Sequence, residues 1–106
     1  ATQINRNHFQ GPRQLTRLGE DVSVDYPDSL QAARIGGEVL LQVYLDAEGA
    51  PQAIALLEGV HPVLDNQAMK ATTEMKWRPS YVLENKEWKP IPSWLRFQVL
   101  FNLPPE

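Results

Sequence analysis

The amino-acid sequence predicts an α+β fold, a small two-layer sandwich with two helices on one face of a three-stranded antiparallel sheet. Three observations carry that expectation. Residues 92–103 place Leu95, Phe97, Val99, Phe101 and Leu103 on every second position, with Arg96, Gln98 and Asn102 between them. That is the pattern of a strand with one face in a core and the other near water. Two further alternating runs, 38–46 and 52–58, are joined by Asp46-Ala47-Glu48-Gly49, which reads as a hairpin connection with glycine supplying positive φ. A helical pattern flanks this hairpin on each side, so the order is helix, strand, strand, helix, strand.

Residues 1–20 are polar and unpatterned, and are expected to form a linker or loosely ordered lead-in to a domain at 21–106. Val22 and Val24 alternate with acids and serine, which permits a short strand. Residues 26–37 form the first helix: Pro27 suits the opening turn, Asp28 and Arg34 suit the two ends of the dipole, and Gly36-Gly37 suits a left-handed stop. Leu30 and Ala33 make its inward stripe. In the hairpin, Val39, Leu41, Val43 and Leu45 point inward on the first strand, and Ile54 and Leu56 on the second. The second helix opens at Leu64 with Asp65 as N-cap, turns Ala68, Met69, Ala71, Thr72 and Met75 to one side, and is halted by Pro79 just after Trp77. Residues 84–87 form a charged turn leading into the final strand. Pro90 and Pro92 close that strand upstream and Pro104-Pro105 downstream, since proline cannot donate to a ladder. Trp94 and Leu100 fall on its polar face, where they either cover a neighbouring element or meet a partner.

The totals exclude several functions. With 106 residues, the chain forms one modest core. The net charge of -3 and scattered basic residues give no nucleic-acid footprint. Cysteine is absent, which removes disulfides and thiolate metal sites and leaves the redox compartment open. No apolar stretch approaches the length of a membrane helix. The chain is either a mature product beginning at Ala1 or a fragment of a longer anchored protein.

No constellation points to catalysis, a metal or a cofactor. His8 and His61 are the only histidines, are far apart, and belong to no paired ligand motif; His61 reads as a loop residue. Asp46 and Glu48 read as turn chemistry, no serine sits in a nucleophile elbow, and Gly36-Gly37 lacks the lysine of a phosphate loop. Of the three tryptophans, Trp77 is expected in the core. Trp88 and Trp94 flank the prolines before the last strand, a common place for interface aromatics.

Placed in order, Tyr26-Pro27, Ala32-Ala33-Arg34-Ile35-Gly36-Gly37-Glu38-Val39, Asp46-x-x-Gly49, Leu64-Asp65-x-x-Ala68, Trp77-Arg78-Pro79 and Lys89-Pro90-Ile91-Pro92, followed by the 97–103 strand, resemble the C-terminal domain of TonB-type energy transducers. The resemblance implies a periplasmic domain, tethered to the inner membrane by an N-terminal helix and Pro-rich linker. It implies capture of the TonB-box segment of outer-membrane receptors, with inner-membrane proton-channel partners engaged through the preceding region, for uptake of iron chelates or similar nutrients. The box would add as a strand to Ser93, Trp94, Leu95, Arg96, Phe97, Gln98, Val99, Leu100 and Phe101, with Asp25, Tyr26, Pro27 and Arg34 as further receptor contacts. A weak homodimer through edge strands is a further expectation. Two departures from the family pattern bear on receptor preference: Glu58-Gly59-Val60-His61 replaces a Ser-Ser-Gly run, and Met75 replaces a tryptophan. The alternative is a TonB-like or TolA-like envelope scaffold with a different protein partner.

Overall fold

The computed structural model describes residues 8–103 and 105. Its centre is the hairpin of β3 (Gly37–Leu45) and β4 (Pro51–Glu58), to which β8 (Ser93–Phe101) is added, giving the order β4-β3-β8 with both pairings antiparallel. Alternation on β3 is complete: Val39, Leu41, Val43 and Leu45 are fully buried, while Leu40, Gln42 and Tyr44 are half-buried on the other face. On β8, Val99 and Phe101 are buried and Leu95 and Phe97 pack against the core; Trp94, Arg96, Gln98 and Leu100 are exposed. The inward and outward faces are therefore those the sequence predicts. On β4, Ile54 packs against the core, but Leu56 is 43% exposed. Its register partner Leu41 is fully buried; the difference follows from β4 being the sheet's outer strand.

Helix α2 (Pro62–Glu74) covers this face with Leu64, Ala68, Ala71 and Thr72. It begins two residues earlier than the sequence predicts, because the His61 ring caps it: Nδ1 accepts the Val63 N–H at 3.1 Å and Pro62 fills N1. Asp65, the expected cap, instead accepts the Val60 N–H at 2.9 Å and pins the incoming loop. The helix stops at Glu74, ahead of Pro79. Trp77 and Arg78 form a short strand, β5, which pairs with β2 (Arg13–Gln14). Trp77 is buried, edge-on to Phe97 at 5.1 Å.

Helix α1 is shorter than expected, only Asp28–Ala32, with no fully buried residue. It ends in a Schellman arrangement: the Ile35 N–H donates to the Leu30 carbonyl at 2.9 Å and the Arg34 N–H to Gln31 at 3.0 Å. The left-handed residue is Arg34, with φ 58°, and not Gly36. Leu30 and Ile35 supply the packing, whereas Ala33 is exposed.

The largest departure lies between α2 and β8. The expected charged turn is the tip of a second hairpin, β6 (Ser80–Glu84) and β7 (Glu87–Ile91), with β1 (Phe9–Gln10) paired on its other side in the order β1-β6-β7. Asn85 and Lys86 both have positive φ, 50° and 65°, as a two-residue type I′ loop requires. Pro90 is tolerated because β7 is an outer strand and needs no donor there. The molecule is elongated, 56 × 28 × 24 Å. Residues 9–10 and 13–14, read as part of an unpatterned lead-in, are thus paired to the body. Residues 1–7 and Pro104, one of the two downstream prolines, lie outside the described residues.

Two turn positions yield predictions. Glycine replaces the strained left-handed lysine in Lys86→Gly and gives the Asn-Gly pair that type I′ favours, so stability should rise by about 0.5–1 kcal/mol in urea melts. Asp46 accepts the N–H groups of Glu48 and Ala50 on Oδ1 at 2.8 and 2.9 Å, and Gln52 Nε2 on Oδ2 at 2.9 Å. The bond from Ala50 does most to hold its carboxyl below the ordinary carboxylate value; the bonds from Glu48, Gln52 and Gly49 add to this, against a partial opposing effect of desolvation. A depressed native pKa favours the folded state above the unfolded value of about 3.9 and loses that advantage as pH falls through the native value. The stability gap between the native chain and Asp46→Asn should therefore narrow on acidification below about pH 4; a gap independent of pH contradicts the bonding.

Candidate functional site: the open edge of the last strand

Strand β8 is paired along its whole length with β3, from Leu45↔Ser93 to Gly37↔Phe101, and it ends the sheet. Among the described residues no strand occupies its second edge. Alternate backbone N–H and C=O groups there have no ladder partner, and such a row accepts another extended chain. The nine residues expected to bind peptide, Ser93 to Phe101, all lie on this element, which ends there, two residues short of the Leu103 that the alternation predicts.

A groove of about 290 Å³ runs beside that edge, lined by Gln98, Val99 and Leu100 on one side and Leu18, Gly19 and Val24 on the other. Val99 points inward, and Gln98 and Leu100 point outward. A cavity touching residues of both faces, and none of β3, lies along the strand's edge. Leu18 and Val24 are half-buried and pack against the core, so this wall is held by the fold. Sequence reasoning missed it: the alternation of Val22 and Val24 permits a short strand, whereas the segment is a loop, tied by the Gly19 N–H to the Val22 carbonyl at 2.7 Å and anchored by the buried Val22.

The outward face of β8 is partly apolar. Trp94 is 54% exposed and tilts over its cross-strand partner Tyr44, ring centroids 4.7 Å apart, and Leu100 is 59% exposed. Arg96 and Gln98 stand between them. Trp88 is likewise exposed, on β7.

The four predicted contacts outside the strand have different places. The Tyr26 hydroxyl donates to the Ile35 carbonyl at 2.7 Å, and its ring meets Phe101 edge-on at 5.4 Å. Tyr26 thus clamps the C-terminal end of β8. Pro27 is the N-cap residue of α1. Asp25 is exposed, its N–H reaching Gln67 Oε1 at 3.4 Å, and Arg34 is exposed at the end of α1. Only Tyr26 is brought against β8. Gly36 permits the clamp: a Cβ there would stand 2.6 Å from the Tyr26 hydroxyl and 2.7 Å from the Phe101 carbonyl.

No group of three His, Asp or Glu side chains among the described residues stands close enough to hold a metal ion. Among the described residues no helix is long and apolar enough to cross a membrane. The site's resources are backbone hydrogen-bonding groups, an apolar-walled groove and exposed aromatics. These suit binding an extended peptide.

The family model described as Gram-negative bacterial TonB protein C-terminal matches residues 22–103. Among solved structures, the solution NMR structure of the Pseudomonas aeruginosa TonB C-terminal domain is similar over 97% of this chain and 94% of that one, with a TM-score of 0.64 and 18% identity. No curated protein matches. The structural likeness concerns the fold; the wall residues Leu18 and Gly19 fall ahead of the matched family segment.

The clamp gives a prediction. Gly36→Ala should lower stability by about 1–3 kcal/mol, the cost of forcing a Cβ into a filled space, and should shift the amide resonances of Tyr26 and Phe101. An unchanged melting temperature with unchanged spectra would show that the contact is not as close as the structure has it.

Proposed function

This chain belongs to the family of Gram-negative bacterial TonB protein C-terminal domains, and on that premise we propose that it is the periplasmic receptor-binding domain of a TonB-type energy transducer. It captures the TonB-box segment of outer-membrane transporters by strand addition to β8, within a protein anchored in the inner membrane and coupled there to proton-channel partners. The cargo so imported is a scarce nutrient of the iron-chelate type.

The observation that supports this reading is the free edge of β8 with a groove alongside it. An added strand completes the hydrogen bonds of that edge. Its side chains alternate between the groove and the Trp94 to Leu100 face, so main-chain bonds give affinity and the two rows of side chains select. About four or five bonds at roughly 0.5–1.5 kcal/mol each, with two side chains buried at about 1.5–3 kcal/mol each, offset an ordering cost of about 2–5 kcal/mol. Mid-range values leave about 5.5 kcal/mol, a Kd on the order of 100 μM. Binding of that strength suits a link that must form and release repeatedly.

The test is NMR titration of the labelled chain with a receptor TonB-box peptide. Backbone amide shifts should cluster on Ser93 to Phe101 and on Leu18, Gly19 and Val24. Arg96→Ala should weaken binding by less than about tenfold, since the backbone bonds remain. Shifts confined to the 46–49 turn or to α2 would reject strand addition.

A further inference from the structure

A second cavity lies away from β8, where the N-terminal segment meets β5. We infer that it is a binding site for a phosphate-type oxyanion, held by Arg13 and Arg78. The cavity measures about 480 Å³ and is lined by Gln10, Gly11, Pro12, Arg13 and Arg78. Among the described residues no acidic side chain lines it.

The ladder places the two arginines directly opposite each other, Arg13 on β2 and Arg78 on β5. Direct cross-strand partners project to the same face with Cβ atoms about 4.5–5.5 Å apart, and like charges so placed repel. Such a pair ordinarily has a carboxylate nearby. Here, among the described residues, neither guanidinium has an ion-pair partner. Arg78 is held in place: its Nη2 donates to the Gly11 carbonyl at 3.1 Å, and its guanidinium lies 6.0 Å from the Tyr81 ring centroid. Its Nε is buried and has no acceptor.

What the site lacks is therefore negative charge and acceptor atoms. An oxyanion supplies both. Guanidinium groups bind planar pairs of oxygens bidentately, and a group with three free oxygens and a charge near -2 serves two forks at once and cancels both charges. The chain as a whole carries -3, so the two arginines form a local positive site on an acidic protein and do not belong to a general basic surface. Arg13 precedes the matched family segment, 22–103; the site exists because the N-terminal segment folds back onto β5.

The same chemistry comes from free phosphate or from a phosphorylated headgroup at a membrane surface, and the two can be separated. In the first arm, the labelled full chain is titrated with inorganic phosphate at constant ionic strength, with chloride as control, following the arginine Nε–Hε resonances. The Arg78 signal should move saturably with phosphate and not with chloride. Arg13→Gln should weaken the response at least tenfold, and Arg13→Lys, which keeps the charge and loses the fork, should fall between. Arg78→Gln should abolish it, but Arg78 also holds Gly11, so the exposed Arg13 variants carry the decision. In the second arm, the chain is sedimented with phosphatidic acid vesicles, whose phosphomonoester headgroup has three free oxygens, and with phosphatidylcholine vesicles. Arg13-dependent pelleting with the anionic vesicles assigns the headgroup as the source; its absence beside a saturable phosphate response assigns the free ion. A linear response, an equal response to chloride, or a response unchanged in Arg13→Gln overturns the site.

Discussion

The structure depends on β3 being paired on both sides. It is the middle strand of the main sheet, and its inward residues Val39, Leu41, Val43 and Leu45 have no exposed surface. Four large aliphatic side chains removed from water contribute about 1.5–3 kcal/mol each, and a one-residue slip of either neighbour would put that neighbour's apolar row into solvent. The register of β8 is thus set by β3. So is which of its side chains face outward. Helix α2 and Leu18, Val22, Val24 and Tyr26 pack on the same core, and Leu18 and Val24 wall the groove beside β8.

Rigid support around an unpaired edge is what a peptide-binding role for β8 requires. The two ends of β8 are held by different means. At one end, the Ser80 hydroxyl donates to the Ser93 hydroxyl at 2.7 Å where the second hairpin begins. At the other, Tyr26 packs on Phe101 and reaches the Ile35 carbonyl. A strand held at both ends and along one side is pre-organised, so an incoming peptide bears most of the ordering cost. An exposed edge also invites unwanted pairing. Arg96 on β8 and Lys89 and Pro90 on β7 are residues of the kind that blunt such edges.

Much of this was legible in the sequence because the relevant signals are periodic. The alternation from Leu95 to Phe101 predicted the inward and outward faces of β8, and the run from Val39 to Leu45 predicted the buried row. The Asp46 to Gly49 turn carried its own chemistry: Gly49 has φ +86°, and a Cβ there would collide with the Trp77 carbonyl oxygen. Features without a period were not legible. Pro90 and Pro92 read as strand terminators, yet an outer strand needs no donor on its free side, and β7 runs through Pro90. Two-residue strands such as Phe9–Gln10 and Arg13–Gln14 exist only because β6 and β5 offer partners. His61 takes the capping role expected of Asp65, since an imidazole nitrogen can accept the same N–H and Pro62 suits the next position. Arg34, where glycine is usual, is left-handed because the turn geometry of α1 places the reversal there.

The central claim is that β8 is paired on one side and open on the other, and amide hydrogen exchange tests it residue by residue. In an antiparallel ladder, successive N–H groups point alternately toward the partner and away from it. In the free chain, the amides from Ser93 to Phe101 should alternate between slow and fast exchange. Saturation with a TonB-box peptide should slow the fast set and leave the slow set unchanged. Uniformly slow exchange in the free chain, or a fast set that the bound peptide fails to protect, would contradict the account.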